Sequence, residues 1–411
     1  MSETLSLEKL KAALSRNAAA IRVITRLLPA GGPGSKVFPP THSGGVYAWE
    51  KRRVGKDEIV TTVLLDSVQS QANRMEQALL EANRAGKLKI PLLQVDFSAN
   101  YPDIGVITTL DAPHRIADAI FRDSRHNGTR FRESDIGQAF AAANIRNATA
   151  LFQYCPHSLI FGVWDSTGSK GGLGNKFQRA LVSEIVGVQA EKGVRTSSRI
   201  DPLGITKSAE MFETTEGDWT LEENQARKTN EGTPVRAKPS DFVHGNIPPD
   251  FSRYNPKQDK TPLRTMYEEI RVGDVLVGGV TIDHATQTTV LSFPALRRLR
   301  FPINGNETPE CNNVARTVLA ALALGAVAHL REQGYDLRSR CLLIPDGDSP
   351  FELIGNDGKS EPYSLSADQA DTLLKQAVAE AIAKGLPWCE EPIPLTPEDR
   401  LVELIHRSRP S

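Results

Sequence analysis

Ser70, Asn73, Arg74 and Gln77 stand three or four residues apart in DSVQSQANRMEQAL (66–79). On a helix that spacing puts them on one face. Hydroxyl, amide and guanidinium groups beside a helix N-terminus suit phosphate and ribose oxygens. The stretch WDSTGSKGGLGNKFQRA (164–180) concentrates a second set. Glycines at 168, 171, 172 and 174 let backbone N–H groups come close to an anion. Lys170, Lys176 and Arg179 bring positive charge there, and Asn175 stands where it can cap a following helix. In GVRTSSRIDPLG (193–204), Arg195, Ser198 and Arg199 alternate donors along a segment that Pro202 ends. His114, Arg115, Arg122 and Arg125 are placed to flank a groove, and RRLRF (297–301) is a further basic patch. The plainer reading of each is a capped surface helix, a glycine turn or a solvated charged face.

Catalytic patterns are harder to find. No HExxH or GxSxG occurs, and neither Gly-rich loop has the GxxxxGK[ST] order of a nucleotide-phosphate loop. In GGPGSK (31–36) the serine precedes Lys36. Asp66, Asp96, Asp111, Asp165 and Asp201 could meet as a metal site, but each also sits where a cap or turn explains it. The expectation is therefore no catalytic residue, no metal and no cofactor. The alternative is a metal-dependent ribonuclease acting through Asp165 and Asp201.

These residues must be positioned by a chain of 411 residues with 39% hydrophobic and 24% charged side chains, a globular profile. The net charge of −1 hides an asymmetry: residues 1–200 hold 26 Lys/Arg against 18 Asp/Glu, and the remainder 23 against 32. A basic half suggests an anionic ligand and a continuous basic trough; a basic and an acidic half also suit head-to-tail association. Cys155, Cys311, Cys341 and Cys389 have no framework spacing, the N-terminus is amphipathic without a leader-like apolar run, and the Ala-rich stretch Val314–Leu330 reads as a buried amphipathic helix. The chain reads as cytoplasmic, with no membrane partner.

Apolar periodicity predicts a helix running into a strand over 5–28, a strand over 59–65, and a helix from Asp66 or Ser67 to Gly86. Strands follow at 92–97 and 104–110, then a helix from Pro113 through Arg122 and one capped by Ser134 through Asn147. Next come a strand over 158–164 and a helix from about Asn175 to Ala190. The polar stretch 205–262 reads as an inserted arm. Beyond it the pattern predicts paired strands over 268–283 and 288–293, a helix over 312–333, a strand over 340–345, and a helix from Ser366 to Ala383. The class is α+β, compatible with a ferredoxin-like βαββαβ core carrying large insertions. The division is 1–204 and 263–385 as the core, 205–262 as the arm, and 386–411 as a Pro-rich acidic tail.

The strings RLLPAGGPGSKVFPPT, VLLDSVQSQANRMEQAL, ITTLDAPHRIADAIFRDS, NATALFQYCPHSLIFGVWDSTGSKGGLGNKFQRALVSEIVG and GVRTSSRIDPLGI resemble the Csb-type proteins of the RAMP superfamily. Those are the Cas seven-like backbone subunits of type I-G (formerly I-U) CRISPR effector complexes, and the likeness is dense over 25–205. It implies an RRM-like palm, with the arm at 205–262 as a thumb or finger. It also implies copies stacked head to tail along a crRNA, alongside other subunits of the complex and a target DNA strand paired to the guide. The grip would fall on the sugar-phosphate backbone whatever the sequence, since base pairing carries specificity. The aromatic string by which RRM sheets stack bases is missing here. Carried onto this chain, the resemblance makes Ser70, Asn73, Arg74, His114, Arg115, Lys170, Asn175, Lys176, Arg179, Arg195, Ser198 and Arg199 the RNA-contacting positions, with Lys36 in a second tier.

Overall fold

The segment HATQTTVLS (284–292) alternates, so Ala285, Gln287, Thr289 and Leu291 share one face of a strand. In the computed structural model, which describes residues 3–15, 18–56, 58–168, 176–206, 208–252, 271–272 and 275–409, those four side chains are buried inside the largest sheet. In chain order the elements around it are α1 (Leu7–Ser15), β1 (Ala18–Pro29), β2 (Trp49–Arg53), β3 (Ile59–Asp66), α2 (Val68–Arg84), β4 (Leu181–Val188), β5 (His284–Ser292), α3 (Pro309–Gln333), β6 (Leu342–Pro345), β7 (Phe351–Gly355), β8 (Ser360–Ser364) and α4 (Ala367–Ala383).

The strands lie side by side as β8–β7–β1–β5–β4–β3–β2, and β6 and β7 pair with opposite ends of β1. From β7 to β2 every pairing is antiparallel. Leaving aside the hairpin β2–β3, the chain runs β1–α2–β4–β5–α3–β6/β7. The fourth strand lies by the first, the first by the third, and the third by the second. The class is mixed α+β, as expected from the sequence.

Helix α3 lies against α1, α2 and α4 and is buried over most of its length. The Thr308 side chain accepts from the Cys311 N–H at its start, and Gly334, at φ +81°, ends it. By length and composition α3 could cross a membrane; here it is the central helix of the core. His329 on α3 meets Asp371 on α4 at 2.7 Å, both buried.

The helix expected from Pro113 through Arg122 is instead a 3-10 turn (Arg115–Ala117) and a four-residue helix (Ala119–Arg122), separated by the extended Asp118 whose side chain caps the second. Three further expectations need correcting. Residues 158–164, read as a strand, form a helix (His157–Phe161), then Gly162 at φ +84° and a two-residue strand Val163–Trp164. An apolar run buried on all sides carries no period that separates the two. The helix expected from Asn175 to Ala190 is instead strand β4, whose Val182, Ile185, Val186 and Val188 favour an extended chain. The strands expected to pair over 268–283 and 288–293 do not pair with each other. Both flanks of β5 are taken by β1 and β4, and Val275–Thr281 leaves to join Glu191–Val194 and Arg271–Val272. Residues 268–270 lie outside the described residues.

The arm, where described, folds into small sheets: Met211–Glu213 between Trp219–Thr220 and Arg236–Ala237, and Thr196–Arg199 with Ile247–Phe251. The stretch 386–411, set apart by composition, is knitted into the fold. Its strand Ile393–Pro397 pairs parallel with Leu93–Asp96 and antiparallel with Ser124–His126, in the middle of a five-stranded sheet. Leu395 in that strand is buried in the main core. Leu395→Ala should therefore cost about 3 kcal/mol in denaturant unfolding, whereas a detached tail would show no change.

Candidate nucleic-acid interface

Strand β3 ends at Asp66, and Ser67 caps α2 by accepting from the Ser70 N–H at 3.2 Å. The buried Asp66 carboxylate collects four donors: Ser70 Oγ at 2.8 Å, Gln71 Nε2 at 2.6 Å, Arg74 Nε at 3.0 Å and Arg338 Nη2 at 3.2 Å. Arg74 also donates to the backbone oxygens of Asp336 and Leu337. Ser70 and Arg74, grouped with Asn73 as one ligand-facing set, are thus turned toward the protein, while Asn73 stays exposed.

Asn73 opens onto a cleft of about 720 Å³. Its walls are Gln69 and Asn73 of α2; His114, Arg115 and Arg122; Trp164 with Ser166 and Thr167; and Lys176 to Arg179. The floor is built around Arg115, a buried residue at φ +54°. Its Nε and Nη2 each reach a Glu76 carboxylate oxygen at 2.6 Å, and Nη1 donates to the Gly162 carbonyl at 2.9 Å. Arg115, expected to grip ligand, has its guanidinium committed to this pair. Burial pushes the Glu76 carboxyl upward, and Arg115, then Arg179, pull it back. Beneath the floor, the buried His157 donates from Nε2 to the Thr109 carbonyl at 3.1 Å. Burial, helped by Arg115, holds its ring down to about 3, so it stays neutral.

Lys176 and Arg179 come from the chain just past the glycine loop. Lys176 pairs with Trp164 across a short antiparallel ladder, and its Nζ lies 5.4 Å from the indole centroid. Arg179 is half-buried with Nη1 3.4 Å from the Val68 carbonyl, and burial lowers its pKa. His114 is exposed, and Arg122 is shared with Asp123 at 2.7 Å. Asn73, His114, Arg115, Lys176 and Arg179 are thus brought together. Lys170 and Asn175 lie outside the described residues.

The remaining predicted positions stand elsewhere. Lys36 donates to the Val194 carbonyl at 3.0 Å, and the Arg195 N–H donates to Leu276 O at 2.8 Å, in the small sheet with Val275–Thr281. Ser198 and Arg199 sit on the arm strand paired with Ile247–Phe251. Asp165 is held by Arg132 at 3.0 Å and by its own turn through the Thr167 N–H. Asp201 accepts from the N–H groups of Leu203 and Gly245. Among the described residues, no group of three His, Cys, Asp or Glu could hold a metal ion.

The expected basic trough also changes character. Part of the positive charge in the first two hundred residues is paired with acids of the second half: Lys9 with Glu361, Lys11 with Glu380, Arg22 with Glu352, Arg26 with Asp346 and Arg130 with Glu398. What the cleft keeps is a small cluster. Trp164 and Gln178, which sequence reasoning missed, also line the cleft, as does Gln69 from the polar start of α2; the one signal available for Trp164 was an aromatic placed at the mouth of a polar, glycine-rich stretch.

Two outcomes follow for the floor. Arg115→Ala leaves Glu76 buried without its partner and should cost about 3–5 kcal/mol, read by thermal or denaturant unfolding. His157 binds its proton only below its unfolded value of 6.5, down to about 3 when folded. Its contribution is therefore full above pH 6.5 and is lost as pH falls. Between pH 6.5 and about 5 the parent should lose on the order of 1–2 kcal/mol more stability than His157→Gln. Equal losses would refute this assignment.

No curated protein matches the chain. Residues 21–192 match the model of the family described as CRISPR-associated protein GSU0053. The matched stretch contains every lining residue of the cleft and stops short of Arg195, Ser198 and Arg199. Over that stretch the chain is similar to a CRISPR-associated protein family.

Proposed function

We propose that the chain is a non-catalytic guide-RNA-binding backbone subunit of a type I-G CRISPR surveillance complex. In this reading copies of it polymerise head to tail along the crRNA spacer in the cytoplasm. Together with the other subunits, they hold the guide for pairing with a target DNA strand. The observation that carries the proposal is the cleft where Lys176 and Arg179 stand with His114, Asn73 and Gln69. Two cations among neutral amides suit a sugar-phosphate chain, and a large fixed set of donors for reading base edges is not needed when pairing supplies specificity.

The fold supports the same reading. The strand order of β6/β7, β1, β5 and β4 is that of a split βαββαβ unit, which fits an RRM-like palm. The separately sheeted arm fits a thumb. With several cations of the first half held in ion pairs, Lys176 and Arg179 at the cleft support it as the place where a polyanion settles.

The test is RNA binding by the purified chain, first as absorbance at 260 against 280 nm and then by titration. Replacing Lys176 and Arg179 together by Ala should weaken binding to unrelated RNA sequences about equally. It should also make the dependence of log K on log salt shallower by about 0.7 for each phosphate left without a cation. No RNA binding by the parent, or a weakening confined to one sequence, would overturn the proposal.

A further inference from the structure

The Trp164 indole is 50% exposed, although a tryptophan beside a core strand ordinarily hides its ring. The backbone explains how the ring is held. Val163–Trp164 pairs with Lys176–Phe177, and Val163 and Phe177, the alternate residues, are buried in the main core. Alternation along so short a ladder then turns Trp164 and Lys176 outward together. Lys176 Nζ stands over part of the ring, 5.4 Å from the indole centroid, and half of the Trp164 surface stays exposed beside the cleft. Gly162, at φ +84° just before this strand, is where the chain turns to deliver it, and its carbonyl is fixed by Arg115. The platform is thus tied through the Gly162 carbonyl to the buried Arg115–Glu76 pair.

Around it the cleft is lined by Gln69, Asn73 and Gln178, uncharged amides able to donate and accept. A phosphate needs only cations and N–H donors. A flat aromatic face beside two-way amides matches a nucleobase lifted out of its stack. We infer that Trp164 is a stacking platform for one unpaired RNA base, with Lys176 placed to bind the adjoining phosphate. This rests on the reading of the cleft as an RNA site and adds a base-facing element to it. A π-face is common to all four bases, so the contact would add affinity without sequence preference.

The test titrates the full chain with fluorescein-labelled single-stranded RNA of mixed sequence, and with the same length made of abasic nucleotides. Trp164→Ala should weaken binding to intact RNA by roughly tenfold, the scale of one aromatic–base stack. The salt slope should stay unchanged, because no cation is removed. Trp164→Phe should keep most of the affinity and thereby rule out misfolding as the cause. Abasic RNA should bind the parent and Trp164→Ala alike. Intact RNA binding as tightly to Trp164→Ala as to the parent would overturn the stack and leave the RNA-site reading standing. So would an equal weakening on intact and abasic RNA. A parent that binds neither RNA overturns both.

Discussion

Arg115 and Glu76 join three stretches of chain that the sequence keeps far apart. Glu76 comes from the middle of α2, Arg115 from a single turn between strands of the small five-stranded sheet, and the Gly162 carbonyl from the bend before Trp164. Both charges are buried, so each costs free energy that only the other returns, and only in one geometry. Such a pair is a poor source of stability but a strong constraint on position. It fixes the left-handed backbone at Arg115, and with it the neighbouring His114 on the cleft wall. Hydrophobic contacts alone would allow these elements to slide; two 2.6 Å bonds to one carboxylate do not.

Asp66 applies the same logic at the other end of α2. A fully buried carboxylate takes donors from the first turns of the helix and from Arg338, so the hairpin β2–β3, the helix and the loop before β6 are set relative to one another. Two of the predicted ligand contacts, Ser70 and Arg74, are consumed there, together with Gln71 and Arg338. The amphiphilic helix face therefore divides into inward donors around Asp66 and outward amides, Gln69 and Asn73, which reach the cleft. A polar residue near a helix start is a candidate for either side. Its strand neighbour decides, and here the neighbour is an acid.

What could be read in advance follows from how local the determinant is. The bounds of α2 were legible because Ser67 and Gly86 act within one turn, and those of α4 because Ser366 and Gln369 form a capping box. The strand β4 is mistaken for a helix because the local β-branched signal of Val182, Ile185, Val186 and Val188 is settled only by its partners, β3 and β5, which lie far away in sequence. The helix His157–Phe161 was misread because its buried surroundings erase any period. Charge was legible only as a sum. The excess in the first half is real, yet pairs such as Arg22–Glu352 and Lys11–Glu380 spend it across the fold, where composition cannot see it. Asn73, His114, Lys176 and Arg179 were found from residue type alone, but that they share one cleft needed the Arg115 constraint.

The position of Trp164 completes this picture. An RRM-type sheet places its aromatics on the open sheet face, and here that face carries Arg22, Ile24 and Arg26 on β1, with Arg22 and Arg26 held by Glu352 and Asp346. Opposed charges already satisfied in this way are costly to desolvate for a base that offers no better partner. The aromatic surface stands instead at the edge of α2, on a ladder anchored by Val163 and Phe177 and backed by Arg115. On the proposed RNA-binding reading the sheet serves as a scaffold, and contact with the RNA falls to the elements on its flank. An insertion rooted in the core through a buried ion pair has what a floating loop lacks: it presents an exposed ring and two cations in a fixed relation, at little entropic cost when a ligand arrives.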